Sequence, residues 1–454
     1  MSPSHCSPSP RSASRAEMGG ISRGGLLALV LVVSAGVVEA FLTPWAVRSS
    51  LRQRGLGPSS VSSRPRNTGL ELHALSATAL GDVGKVGAAA VGKDVLDFAI
   101  VGGGPAGLAV AIGLKAKGLH VKVFEAAPKI TERGAAVFVQ SFGLAKLDEI
   151  RPGLAAEAVA AGREVEVIHL TRPSGETIAK ADMAVVAKLV GYPFVGITRY
   201  ALQRVLLRHL ETEDVELGAR LEGLEAHEEE GFTELRFEGR DDPVRARAVI
   251  GADGRRSVVR KEILAAEERN CDWALTWWAL ADIPDPITSK GEFRMSYSTK
   301  QAIYYGEVEE GVTMWSFTCW KEGNVERDPE LRAGRALKEL EGWPEELLDV
   351  VRRTPPDKII EVFVGDSPLQ WATWSRQPGV TLMGDAAHAM LPTLGMGVTS
   401  ALQDAVALIK CVDGADTRLP EALKKYENAR RLPAMLLQLG SRAAMLIIEN
   451  VLCR

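Results

Sequence analysis

The sequence predicts an α/β fold of the Rossmann type, interrupted by an inserted β-sheet region and closed by C-terminal helices. Three observations predict it. Residues 94–125 (DVLDFAIVGGGPAGLAVAIGLKAKGLHVKVFE) read as strand, glycine-rich turn, helix and second strand. Two later apolar runs, Ala248–Ile250 and Val380–Met383, each lead directly into a glycine–acid turn, G-A-D-G at 251–254 and G-D-A-A-H at 384–388. Between those turns the texture changes. Residues 271–375 hold all but one of the nine Trp and alternate as strands do at Gln301–Tyr305 and Val312–Thr318.

The opening segment carries its own chemistry. Phe98–Val101 is apolar throughout, as a buried parallel strand requires. Gly102, Gly104 and Gly107 follow in G-x-G-x-x-G spacing. The first makes the tight turn, the second admits a pyrophosphate close to the backbone, and the third lets helix and strand approach. Pro105 stands at the first helical position, where its missing N–H costs nothing. Apolar residues continue at helical spacing through Leu108, Ala111, Ile112 and Leu114, and Gly118 closes the helix. The second strand, Val121–Phe124, ends in Glu125, 23 residues after Gly102, where a carboxylate can accept from a ribose hydroxyl. The segment therefore reads as a dinucleotide-binding unit.

The first ninety residues stand apart. Arg11, Arg15 and Arg23 precede Leu26–Val38, an apolar run of 13 residues that suits a signal peptide better than a membrane span. Val38-Glu39-Ala40 resembles a cleavage site, and Phe41-Leu42-Thr43-Pro44 follows. Phe41–Leu70 has five Arg, six Ser and no acid, the composition of a transit peptide. The pair resembles the bipartite presequences of algae with secondary, red-lineage plastids. The rival reading is a secreted or anchored protein with a disordered linker. Residues 1–70 take eight Arg and two acids with them, leaving 46 bases against 56 acids, a formal charge of −10 that argues against a nucleic-acid partner. Cys6, Cys271, Cys319, Cys411 and Cys453 show no C-x-x-C and no metal-ligand spacing, so no metal site and no disulfide framework is expected.

Further along, Lys129–Ile150 contains Glu132-Arg133-Gly134-Ala135-Ala136 and a helix bearing Phe142 and Leu147. Short strands and turns fill 163–198. Arg199-Tyr200-Ala201-Leu202-Gln203 opens an amphipathic helix reaching about Glu211. The aromatic residues of 271–375 suit either an apolar substrate cavity or a core of large side chains. After G-D-A-A-H come Gly395-Met396-Gly397, a helix from about Val398 to Cys411, and helices from about Pro420 onward.

Taken together, the three glycine–acid motifs resemble those of the group A flavoprotein monooxygenases, with the p-hydroxybenzoate hydroxylase-like fold, over about residues 94–445. The resemblance implies a Rossmann-type FAD-binding domain with an inserted β-sheet substrate domain. By that resemblance Gly102, Gly104, Gly107 and Glu125 hold the ADP half of FAD. Arg133 lies toward the flavin, and Arg199 and Gln203 match the R-x-x-L-x pattern that approaches pyrophosphate and flavin. Asp253 matches the D-G aspartate linked to FAD and nicotinamide cofactor, and Asp385 accepts from the ribityl chain. Gly395 and Gly397 precede a helix, so their N–H groups can face the flavin pyrimidine edge, where a helix N-terminus stabilises negative charge. Two positions depart from the family pattern: Ala389 replaces the usual Pro, and Met396 the frequent Gln. His388 is read as structural, and no protein acid or base is assigned.

The implied reaction uses NADPH or NADH and O2 to insert one oxygen atom into an apolar or aromatic small molecule. G-D-A-A-H-A-M-x-P with x-L-G-x-G resembles the zeaxanthin epoxidase branch, which makes carotenoid epoxidation one expectation; aromatic or quinone ring hydroxylation is the runner-up. A flavin-dependent reductase of isoprenoid double bonds and a non-catalytic FAD-binding protein stay open. The W-x-W-x-I-P motif of flavin-dependent halogenases does not fit WALTWWAL at 273–280. The expected organisation is a signal peptide (1–40), a transit peptide and linker (41–93), FAD-binding parts (94–162, 199–270, 376–415), substrate-domain parts (163–198, 271–375) and C-terminal helices (416–454). The expected location is the plastid, in the stroma or at the thylakoid surface. Leu432–Leu452 is apolar enough either to pack on its own domain or to make a peripheral thylakoid contact.

Overall fold

The computed structural model describes residues 95–132, 135–264, 271–282, 287–321, 323–369, 371, 373–376, 378–414 and 417–447. The presequence read at 1–93 lies outside them. Three sheets organise the chain. The first holds β1 (Val95–Val101), β2 (Val121–Glu125), β8 (Val215–Leu217), β9 (Leu221–His227), β10 (Phe232–Phe237), β11 (Val244–Gly251) and β17 (Val380–Leu382), in the order β8-β2-β1-β11-β10-β9 with β17 beside β11. β1 runs parallel to β2 and β11, and β11 parallel to β17, so three strand ends converge on one edge. A small sheet joins β3 (Ala136–Val139), β7 (Val195–Thr198) and β4 (Arg163–Glu164). The third sheet orders β16 (Ile360–Asp366), β12 (Cys271–Asp282), β15 (Val312–Cys319), β14 (Gln301–Glu309), β13 (Glu292–Ser298), β5 (Val167–Thr171) and β6 (Thr177–Asp182).

The helices are α1 (Pro105–Lys115), α2 (Ser141–Ile150), α3 (Leu154–Ala161), α4 (Met183–Val190), α5 (Arg199–Leu207), α6 (Val258–Leu264), α7 (Pro329–Glu339), α8 (Glu345–Arg353), α9 (Asp385–His388), α10 (Gly397–Cys411) and α11 (Leu419–Ile447). α1 is buried almost all round, against the strands on one side and α10 on the other. The close crossing depends on Gly113, where a Cβ would stand 2.2 Å from Ile409 Cδ1. The C-terminal helices expected from the sequence are one continuous helix, α11, running through Pro433. Proline costs a helix interior about 3 kcal/mol. Burial of Tyr426, Ala434, Met435 and Leu437 offsets that cost.

For most aromatic residues of the third sheet, the core reading prevails over the cavity reading. Trp277, Trp315 and Phe317 are fully buried beneath α7 and α8. Their ring nitrogens are satisfied: Trp277 Nε1 donates to Glu361 Oε2 at 2.7 Å and Trp315 Nε1 to Thr354 Oγ1 at 2.9 Å. On the opposite face Phe138 stacks on Phe194 and meets Phe293 edge-on, at centroid distances of 5.4 and 4.7 Å.

Candidate active site: a dinucleotide cleft with a flavin end

The cleft begins where β1 ends. Gly102 has φ +112°, and a Cβ there would strike the Ala252 carbonyl at 2.4 Å. The first motif is thus seated on the second. At Gly107 a Cβ would meet Gly102 O at 2.1 Å, so α1 starts hard against the turn. Gly104 is different. Its nearest neighbour would be Arg199 Nη2 at 3.9 Å, which leaves the backbone open on the side a pyrophosphate would take.

Glu125 terminates β2 and accepts from Gly103 N at 2.7 Å and Ala127 N at 2.8 Å. The carboxylate is therefore fixed by the loop itself, with lone pairs left for a ribose hydroxyl. Gln203 on α5 is buried and donates to Gly103 O at 2.7 Å. It thereby holds the glycine loop in place. Arg199, at the start of α5, is exposed beside Gly104. Arg133 lies outside the described residues.

Asp253 follows β11. Its Oδ2 accepts from Val258 N at 2.7 Å and Val259 N at 3.2 Å, capping α6. Its Oδ1 is buried without a hydrogen-bond partner among the described residues. Burial pushes this carboxyl above the usual carboxylate range. Asp253 thus has a structural duty and one acceptor to spare.

The third motif forms the far end. Asp385 opens α9 and is solvent-exposed, yet it is enclosed by protein mass that raises its carboxyl above the usual range. His388, Arg199, Arg255 and Arg260 oppose that rise. A side chain accessible to solvent but deep in the protein is at the floor of a cleft. Arg260 is buried and donates to Ala386 O at 2.7 Å and Arg255 O at 2.6 Å, tying the second motif to the third. Gly395 is left-handed at φ +59° and lies near Phe138. Gly397, the first residue of α10, has nothing within 4 Å of a would-be Cβ, and α10 has no side-chain cap at its N-terminus.

One buried network escaped sequence reading. Asp404 on α10 accepts from Gly384 N at 2.9 Å and from Arg430 Nε at 2.7 Å, and bonds His388 Nε2 at 2.6 Å. Burial alone would raise the Asp404 carboxyl, but the charges of His388 and Arg430 and their hydrogen bonds outweigh it and hold the pKa at about 2. His388 is fully buried in this turn, away from solvent. Only the spacing of Asp404 within an apolar helix signalled it in the sequence. A second surprise is Glu225, His227 and Glu234, whose ligand atoms lie within 4.8 Å on the β9–β10 hairpin. Arg236 and Arg245 already pair with the two glutamates, so the group reads as an ion-pair lattice.

The residues present fit FAD. Backbone is open at Gly104 and Gly397, Asp253 has a spare acceptor and Asp385 is accessible, so each of these groups is free to receive part of the cofactor. The FAD binding domain family matches residues 95–438, and the chain belongs to that family of FAD-dependent monooxygenases. Among relatives, aurachin C monooxygenase/isomerase of Stigmatella aurantiaca is 30% identical over 346 residues, 74% of this chain and 86% of that protein. Chloroplastic zeaxanthin epoxidase of Prunus armeniaca is 29% identical over 379 residues, 78% of this chain; the chain spans 56% of that enzyme's length. 3-Amino-4-hydroxybenzoate 2-monooxygenase of Streptomyces cremeus is 30% identical, over 73% of this chain and 82% of that protein. Among solved structures, Klebsiella pneumoniae HpxO complexed with FAD and uric acid superposes with a TM-score of 0.71 at 22% identity, covering 78% of this chain and 89% of that one.

Proposed function

We propose that the protein inserts one oxygen atom from O2 into an apolar, ring-containing small molecule, with NADPH or NADH as reductant. Bound FAD supplies the redox and oxygen chemistry. The chain's own residues do the rest. Gly104 and the N-terminus of α1 receive the pyrophosphate, and Asp385 orients the chain leading to the flavin. The N-terminus of α10 at Gly397 offers backbone N–H groups to negative charge at the flavin's edge. Phe138, packed on the buried Phe194 and Phe293, stands beside Gly395 and keeps water from that end. The observation that carries this reading is Asp385, accessible to solvent yet enclosed by protein, followed twelve residues later by the uncapped, open N-terminus of α10.

Two substrate classes have support. Carotenoid epoxidation is supported by the G-D-A-A-H-A-M-x-P motif and the zeaxanthin epoxidase relative. Aromatic or quinone ring hydroxylation is supported by the coverage of the aurachin C and aminohydroxybenzoate enzymes, 86% and 82% of their lengths. The N-terminal run and its Arg/Ser-rich successor support import into a plastid, where either substrate class would be met in the stroma or at the thylakoid surface. Oxygen uptake by the FAD-loaded enzyme with NADPH or NADH, across a carotenoid and phenol panel, tests the proposal. Substrate-dependent uptake with one product oxygen per O2 is expected. Turnover of isoprenoid double bonds without O2 would replace this reading with a reductase.

A further inference from the structure

The third sheet has two unlike faces. Directly opposed cross-strand residues share a face. Register therefore sets Met295, Tyr304, Ser316, Trp278 and Ile360 in one row across β13, β14, β15, β12 and β16. The rows on either side run from Phe293 to Leu280 and from Tyr297 to Val362. None of the three rows holds a charged residue. Alternation along the same strands sends Glu292, Arg294 and Glu361 to the other face, with the buried Trp277 and Trp315.

The uncharged face turns toward the flavin end. Phe293 meets Phe138, which stands beside Gly395. At the diagonal corner β16 leads into Ser367, whose N–H donates to Ala389 O at 3.1 Å. The middle row lies between these two anchors, which hold the two ends of the 389–395 segment. Its five side chains are all half-buried, whereas Phe293 and Tyr297 next to it are buried. The Ser316 hydroxyl has no hydrogen-bond partner among the described residues and still reaches solvent. Trp278 and Ile360 mark the edge. There Arg204, Arg208 and Lys358 share a cleft with Asp282, Glu309 and Asp357, so those cations are matched by acids.

We propose that this face is the wall against which the substrate lies and that it selects uncharged rings, with Ser316 as the specificity-determining hydroxyl. The inference rests on the monooxygenase reading above and narrows it. Trp278 and Tyr304 offer aromatic surface to a flat molecule. Ser316 can donate to, or accept from, one polar ring substituent and so fix which carbon faces the flavin. A carboxylate would leave water for a face with no cation to pair it, which strongly disfavours its charged form. Both substrate classes therefore remain, but only in their neutral members.

The test is titration of the full-length, FAD-loaded protein, followed by the flavin's visible spectrum. The probes are a hydroxynaphthoate with hydroxyl and carboxylate on opposite rings, and its methyl ester, which differ in charge and little in shape. The ester is expected to bind about tenfold more tightly or better. Met295→Arg is expected to reverse that order by supplying a cation. Ser316→Ala is expected to weaken naphthol by about threefold to tenfold and naphthalene not at all, with Ser316→Thr close to the parent. The inference is overturned if the acid binds the parent as well as the ester does, if Ser316→Ala weakens naphthol and naphthalene alike or neither of them, or if no probe perturbs the flavin. Oxygen uptake is read separately. Bound ester without NADPH- or NADH-dependent uptake would sink the monooxygenase reading and leave the wall in place, whereas uptake with the acid alone would do the reverse.

Discussion

At Asp385, function and stability pull on one carboxylate. It is open to solvent, carries no capping duty, and stands among arginines that favour its charged form. Removing it as Asp385→Ala is expected to weaken FAD by about 1–3 kcal/mol, roughly tenfold to a hundredfold in Kd, by flavin-fluorescence titration. Gly397→Val fills the open space at the start of α10. The protein is expected to fold yet bind flavin in a perturbed setting, read as a shifted visible spectrum. Asp404 differs because it is wholly internal. Its pKa of about 2 lies below the ordinary aspartate value of about 3.9. A depressed folded-state pKa gives stability that is full above the unfolded value and lost as pH falls through the folded one. Asp404→Asn is therefore expected to lower stability at neutral pH by an amount on the order of 2 kcal/mol, with the gap from the parent closing between about pH 4 and pH 2. Urea midpoints at several pH values check this. His388→Ala is expected to lower Tm while the flavin-bound fraction keeps its turnover, because the ring is buried against Asp404 and Trp374.

The same network belongs to the helices as much as to its residues. Arg430 reaches from α11 to Asp404 Oδ1, Ser400 and Gln403 on α10, while Asp404 Oδ2 grips the turn before α9. Arg430→Met would leave Asp404 and His388 buried with one cation fewer, at a cost of about 3–5 kcal/mol. Accelerated loss of FAD on dilution is the expected readout, since the turn before α9 positions Asp385. These contacts explain what the sequence revealed. The strand–turn–helix units at 95–125, 244–254 and 380–388 were legible because each is local: an apolar strand, then glycines demanded by close approach, then a helix start. Gln203, Asp404 and Arg430 were not read as partners because what they hold lies 100, 20 and 26 residues away. The large sheet shows the same limit. β5 pairs with β13 across more than a hundred residues and carries its local partner β6 with it, a pairing no local pattern encodes. Its aromatic residues read equally as wall or core until their neighbours were known.

For the molecule as a whole, the sheet order matters more than any single contact. β11 lies between β1 and β17, strands drawn from near the start and near the end of the described chain. Gly102 and Asp385, in the first and third glycine–acid motifs, are separated in sequence by the entire third sheet. A ribosome therefore releases the phosphate-binding loop long before the flavin-binding turn exists. Until Val380–Leu382 takes its place, the emerging chain has half a cradle and an unpaired stretch on β11. Nascent chains arrested before Val380 are expected to retain no flavin, whereas those arrested beyond Cys411 with the exit tunnel cleared are expected to capture it. Capture of the coenzyme thus falls among the last acts of biogenesis. A cell short of riboflavin is expected to accumulate finished polypeptide without coenzyme, which limited proteolysis is expected to cut faster than the FAD-loaded protein.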